Sequence, residues 1–220
     1  MTKRRTLKRF ACGLAFFALG GTTAGALQAV RHGQTAVAAT PKYRPVQAPA
    51  GRIAVPASML RQAYASGTID RPIKSILNVP AQMHYGDYRW DDSGVPAGPT
   101  WIRVDLDAQL LSVFRAGHEI GTAVILYGAD GVETPTGKFP ILAKFKDHRS
   151  ATYDNAPMPY TLRLTGDGVS IHASNVRWGY ATHGCIGVPE AFAAKLFAAA
   201  SLGDDVLISR DKSRSERDAA

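Results

Sequence analysis

Cysteine is the scarce residue of this chain: Cys12 and Cys185 are the only two in 220 positions. No Cys-x-x-Cys and no His-x-x-x-His spacing occurs. The usual ligand frames of zinc are therefore missing, and neither a metal nor another cofactor is expected. No segment repeats itself, which excludes a solenoid or propeller of tandem units. Basic residues are not interleaved with aromatics into a patch, so no nucleic-acid partner is expected in spite of a net charge of +8.

That charge has another origin. The chain starts MTKRRTLKRF, continues uncharged from Phe10 to Val30, and reaches Ala36-Val37-Ala38-Ala39. A basic start, an apolar run and a small-residue site read as a secretory signal over residues 1–39. An uncleaved N-terminal anchor is the alternative, but Gly20, Gly21, Thr22, Thr23 and Gly25 interrupt the run and make it a poor membrane span. Cleavage near Ala38 or Ala39 removes six Lys and Arg and no acid, so the charge falls from +8 to +2 (8 − 6). The expectation is an exported monomer, periplasmic or associated with the cell wall, touching a membrane only through an uncleaved N-terminal segment. A lipoprotein reading of Cys12 fails, because the apolar run follows this residue instead of preceding it. Loss of Cys12 leaves Cys185 as a single thiol in an oxidising compartment, without an internal disulfide partner and open to oxidation. Catalysis is the simplest task that would keep it there.

Residues 40–100 read as a Pro-rich linker and an irregular lead-in. One short helix is expected from Ala57 to Ser66, and Tyr85, Tyr88 and Trp90 either pack on the next domain or line one end of its groove. The domain spans 101–209. Ile102, Val104 and Leu106 alternate with Arg103, Asp105 and Asp107, the period of a half-buried strand. Leu110 to Arg115 and Ile120 to Leu126 continue as strands around a hairpin connection. A Thr134-Pro135-Thr136-Gly137 turn leads to a strand over Lys138 to Phe145. Further strands are expected at Thr161 to Leu164, at Val169 to His172 and at Val206 to Ser209. A helix starts at Pro189 and carries Phe192, Leu196 and Ala199 on one face. Residues 210–220 form a charged tail. The fold class is mostly β with one or two helices, a sandwich or open barrel.

The chemistry is concentrated in GVSIHASNVRWGYATHGCIGVP, Gly168 to Pro189. A thiol near pKa ~8.5 needs a neighbouring imidazole to take its proton. His183 lies two residues before Cys185, and His172 thirteen before it. Gly184 leaves the backbone beside the sulfur bare, so amide N–H groups can face an oxyanion. The helix after Cys185 is expected to add its positive end to the thiolate if the two are adjacent. His183 has a structural alternative, holding the loop. His32, His84, His118 and His148 have no partner in the sequence and read as surface residues.

Ile171-His172, Thr182-His183-Gly184-Cys185-Ile186 and Ala156-Pro157-Met158-Pro159-Tyr160, with the strand–strand–TPTG–strand order before them, resemble the YkuD-type L,D-transpeptidases. These are cysteine enzymes that cross-link bacterial peptidoglycan. The resemblance covers roughly Trp101 to Ser209. It implies that family's β-sandwich or open barrel, with Cys185 as nucleophile and His172 as base. It implies stem peptides of peptidoglycan as partners and a groove bordered by Met158 and Tyr160. In the loop between His172 and Cys185, Trp178 and Tyr180 would form a lid over the acyl chain or simply pack. Arg177 would meet a stem carboxylate or stay solvated. Water in place of an acceptor amine would make the protein an L,D-carboxypeptidase. Two features depart from the pattern: Gly187 stands where the family commonly has Arg or Asn, and the interval between the two His residues is short. The first departure prompts a third reading, a wall-binding module without chemistry. A sortase would carry Thr-Leu-x-Thr-Cys and a downstream Arg on a neighbouring strand. Here the Cys follows Thr-His-Gly, and the later Arg residues lie only in the tail.

Overall fold

The structure, a computed structural model, describes residues 48–210. The expected signal segment, Cys12, His32, the start of the linker and the tail beyond Arg210 lie outside the described residues. In chain order the elements are β1 (Arg52–Ala54), α1 (Ala57–Ala65), β2 (Ser75–Leu77), β3 (Tyr88–Trp90), β4 (Thr100–Asp105), β5 (Leu110–Arg115), β6 (His118–Val124), β7 (Gly137–Pro140), β8 (Ala143–Phe145), β9 (Thr161–Arg163), β10 (Ser170–Ala173), β11 (Ile186–Val188), α2 (Glu190–Ala199) and β12 (Asp205–Ser209). The larger sheet has eight strands, in the order β1-β2-β6-β5-β4-β12-β7 with β3 also on β6. The smaller sheet runs β11-β10-β9-β8. The fold is mostly β with two helices, the class the sequence implies.

The two sheets face each other because their apolar residues alternate. Ile102, Val104, Leu111, Val113, Ile120 and Ala123 of the larger sheet meet Leu162, Ile171, Ile186 and Val188 of the smaller in one buried core. Helix α2 closes that core with Phe192, which is fully buried. Tyr88 and Trp90 meet its ring edge-on at 5.9 and 5.6 Å. Full burial of such a ring stabilises the fold by about 1.5–3 kcal/mol. The opposite face of the larger sheet is also covered. Trp101 and Phe114 stack at 4.4 Å and bury against Leu60 of α1, with Ile69 and Ile73. This second layer buries Trp101 of β4 and Phe114 of β5, which point away from the first core, while β6 lies between β5 on one edge and β2 and β3 on the other.

Several expectations are corrected here. The lead-in is not irregular: β1 pairs with β2, and both β2 and β3 pair with β6. Of the two alternatives for Tyr88 and Trp90, packing is observed: both are partly buried against the core. The strand expected over Lys138 to Phe145 is two strands in different sheets, β7 on β12 and β8 on β9. The switch falls after Pro140, which has no N–H to continue a ladder. Ile141 N–H bonds the Asp204 carbonyl, and the next residue, Leu142, bonds the Arg163 carbonyl. His118 is buried, with its Nδ1 2.8 Å from the Ser75 hydroxyl. His148 stacks on Phe145 at 5.2 Å. The helix starts at Glu190 with Pro189 as its cap. It does not follow Cys185 directly, because β11 lies between them.

Candidate active site

Strands β10 and β11 are parallel, with His172 opposite Gly187 and Ile171 opposite Ile186. Side chains alternate across a strand. Ile171 and Ile186 enter the core, so His172 takes the other face of the smaller sheet. Cys185 immediately precedes Ile186 and shares that face, two residues from His172's partner, roughly 7 Å along the strand. The fold thus converts a separation of thirteen residues into neighbouring positions on adjacent strands.

The loop entering Cys185 is clamped by the continuation of β6. Leu126 and Gly187 exchange both backbone hydrogen bonds at 2.9 Å. Thr182 N–H bonds the Tyr127 carbonyl at 2.9 Å, and Ala129 N–H bonds the Thr182 carbonyl at 3.1 Å. The buried Thr134 of the TPTG turn accepts from Gly128 N–H at 2.9 Å, which fixes the clamp. Thr182 Oγ1 donates to the Cys185 carbonyl at 2.5 Å and closes the turn. Gly184, at φ 101°, takes a left-handed conformation that L side chains rarely adopt. Nothing in the sequence pattern marks Leu126 to Ala129 as a support, because the contacts span more than fifty residues.

His172 is buried, with Nδ1 2.8 Å from the Ala173 carbonyl. A carbonyl only accepts, so the proton sits on Nδ1 and Nε2 keeps its lone pair. Burial lowers the pKa of His172, and nearby His148 adds to the shift, while the Ala173 bond opposes it. The Cys185 thiol is half-buried and donates to the Gly168 carbonyl at 3.8 Å. Burial pushes its pKa up. The Ser170 amide opposes this, and Asp167 reinforces it. Both burials favour the neutral forms, a thiol at Cys185 and a neutral imidazole at His172.

The remaining expected residues are spread around this centre. His183 is exposed and stacks on Tyr153 at 4.2 Å. Met158 is buried, and Tyr160 turns its ring towards Phe197 at 5.9 Å. Their segment reaches the site through its backbone, where the Pro159 carbonyl accepts from Ala173 N–H at 2.9 Å. Arg177 is exposed; it lies 4.4 Å over the Tyr180 ring and donates to its hydroxyl at 2.9 Å. Trp178 is 81% exposed, with Tyr85 edge-on at 5.8 Å, so one lead-in aromatic does reach the loop between His172 and Cys185. Gly187 has a steric cause. A Cβ there would stand 2.8 Å from both Cβ and Oγ of Ser174. A cavity of about 710 Å³ between the lead-in and the larger sheet, lined by Leu77, Gln82, Gln109 and Glu119 among others, includes neither Cys185 nor His172. Among the described residues, no three His, Cys, Asp or Glu side chains are grouped to hold a metal.

The family model of the YkuD L,D-transpeptidase catalytic domain matches residues 99–208, half of the chain. No curated protein matches the chain. Among solved structures, an L,D-transpeptidase from Stackebrandtia nassauensis is 24% identical with a TM-score of 0.48, covering 52% of this chain and 57% of its own. One from Mycobacterium tuberculosis H37Rv is 20% identical with a TM-score of 0.47, covering 50% and 57%. One from Enterococcus faecium is 26% identical with a TM-score of 0.46, covering 51% and 50%. The aligned region is thus only 50–57% of the length of these structures. The family match includes both Cys185 and His172, and the chain belongs to the YkuD family of L,D-transpeptidase catalytic domains.

Proposed function

We propose that this protein is an exported L,D-transpeptidase acting on peptidoglycan stem peptides, with Cys185 as nucleophile and His172 as general base. The observation that carries the reading is the parallel pairing of β10, which holds His172, with β11, which Cys185 immediately precedes, with Nδ1 of His172 occupied by the Ala173 carbonyl. That hydrogen bond leaves Nε2 to accept the thiol proton.

In the first step, sulfur attacks the carbonyl carbon of the L-centre to D-Ala bond as Nε2 takes the proton. The carbonyl oxygen becomes an oxyanion, held by the N–H groups of Gly184 and Cys185. Losing one such donor costs about 3 kcal/mol. The C–N bond then breaks, the imidazolium protonates the leaving D-Ala amine, and a thioester remains on Cys185. In the second step, an acceptor amine attacks the thioester and gives its proton to Nε2. The C–S bond breaks, and the departing sulfur recovers the proton. His183, stacked on Tyr153, holds the loop and does not take the proton. Trp178 and Tyr180, with Arg177 folded on the latter, border the acyl site as a lid. Met158 and Tyr160 shape the groove through the backbone that reaches Ala173.

Incubation of the protein with purified disaccharide-tetrapeptide, with the products read by mass, tests this reading. A dimer formed with loss of one D-Ala is the expected product. Tripeptide alone would make water the acceptor and the protein a carboxypeptidase. Unchanged substrate, with no adduct on Cys185, would sink the acyl-transfer reading.

A further inference from the structure

We infer that Ser174 is a positioning residue for His172, and that Gly187 is bare because Ser174 fills the space its side chain would need. The inference rests on the reading of His172 as the base.

Ser174 follows β10 by one residue and is held to β11 by its N–H, which bonds the Val188 carbonyl at 2.8 Å. Its hydroxyl lies 3.5 Å from Nδ1 of His172, on the same nitrogen that donates to the Ala173 carbonyl at 2.8 Å. The carbonyl is the main acceptor and the hydroxyl a longer second one. Together they hold the proton on Nδ1 and limit rotation of the ring. Gly187 is the register partner of His172. Both of its backbone hydrogen bonds go to Leu126, so it has little freedom to move aside. A Cβ at 187 would meet Ser174 Cβ and Oγ at 2.8 Å and Leu126 Cβ at 3.4 Å. The φ of Gly187 is not in the left-handed region, so a side chain is excluded there by its neighbours and not by the backbone. Residues 174 and 187 therefore form a size-complementary pair, in which the larger member carries the polar atom that faces the base.

The pair makes a reciprocal test. Gly187→Ala should push Ser174 away and slow Cys185 acylation by a carbapenem on the order of tenfold to a hundredfold, the scale of a misplaced catalytic group. Ser174→Gly placed in the Gly187→Ala protein removes both clashing atoms and should recover most of that loss. Ser174→Ala, which deletes one oxygen, should slow acylation by less. Imidazole nitrogen NMR of His172 gives a readout independent of activity. The wild type should show the Nδ1–H tautomer, with its signals displaced in Ser174→Ala and in Gly187→Ala. Thermal melting checks that each variant is folded. If Gly187→Ala fails to fold, the His172 signals of Ser174→Ala decide the matter. Additive losses in the double variant, or His172 signals that ignore both substitutions, would overturn the inference. His172 signals displaced in both variants, together with a wild type that carbapenems never acylate, would overturn the transpeptidase reading and leave the positioning role standing.

Discussion

The resting site holds its proton on sulfur, and this has a measurable consequence. An ordinary thiol near pKa ~8.5 is about 3% thiolate at pH 7. Burial raises Cys185 above its ordinary value, so its thiolate fraction at pH 7 is smaller still. Iodoacetamide, which requires the thiolate and takes no help from a base, should therefore alkylate Cys185 more slowly than it does an unstructured Cys peptide across roughly pH 6 to 9. Acylation by a carbapenem behaves differently, because attack and proton transfer to His172 occur together. Burial lowers His172 below the ordinary imidazole value, so its neutral form already predominates at about pH 6.5. The acylation rate should rise through a window below that value and stay flat to about pH 8. His172→Gln should remove this acid limb and cost roughly 10²–10⁴-fold in rate. Rates for both reagents, read by mass against the peptide control, decide the matter. Alkylation of Cys185 that runs ahead of the peptide and levels off below about pH 7 would show a preformed thiolate–imidazolium pair and refute the reasoning.

Other expectations follow from the same geometry. Cys185→Ala should abolish turnover and carbapenem adduct formation while far-ultraviolet circular dichroism stays unchanged; retained turnover would remove Cys185 as nucleophile. The same variant tests linkage. Burial keeps the proton on the folded thiol after the unfolded chain has lost it, so this stabilisation is full below about pH 8.5 and fades as pH rises through the folded value. The alkaline fall in Tm should consequently be shallower in Cys185→Ala than in wild type. Thr134→Val should leave Gly128 N–H without its acceptor, lowering stability in urea by about 1–3 kcal/mol and slowing acylation through the clamp on 182–187. Phe192→Ala should cost about 3–5 kcal/mol in the same assay, because Tyr88 and Trp90 lose the ring they enclose.

Sequence patterns exposed the parts of this fold that repeat or concentrate. Trp101 to Leu106 alternates long enough for its period to be visible, and β4 lies there. The same holds for β5 and β6. Strands β1, β2, β3 and β11 have three residues each, too few to establish any period, and their pairing comes from contacts far along the chain. For that reason Ile186 to Val188 passed as a lead to the helix, and the segment before Trp101 passed as irregular. Pro140 was visible, but nothing in its neighbours told that the chain would change sheets there. At the site, Cys185 and His172 stand out in the sequence as candidates because a thiol, an imidazole and a glycine turn sit within one short stretch. The state of the pair does not. Its protonation follows from burial, which raises one pKa and lowers the other, and burial belongs to the packed protein.

Gly187 illustrates why a departure from a family pattern needs a structure before it is given a meaning. As a letter in a motif, it suggested a lost polar contact and a site without turnover. In the fold it is the residue on the neighbouring strand that admits Ser174, and Ser174 brings a hydroxyl to the imidazole two residues before it. The support behind it extends further. Gly187 is paired to Leu126, Leu126 continues β6, and β6 also pairs with β2 and β3 of the lead-in. A single run of chain from His118 to Ala129 thus ties the lead-in to the nucleophile loop. Tyr85 adds a second tie through its edge-on contact with Trp178. The lead-in is therefore part of what holds the thiol and imidazole in place, although none of its residues lies in the stretch that identifies the chemistry.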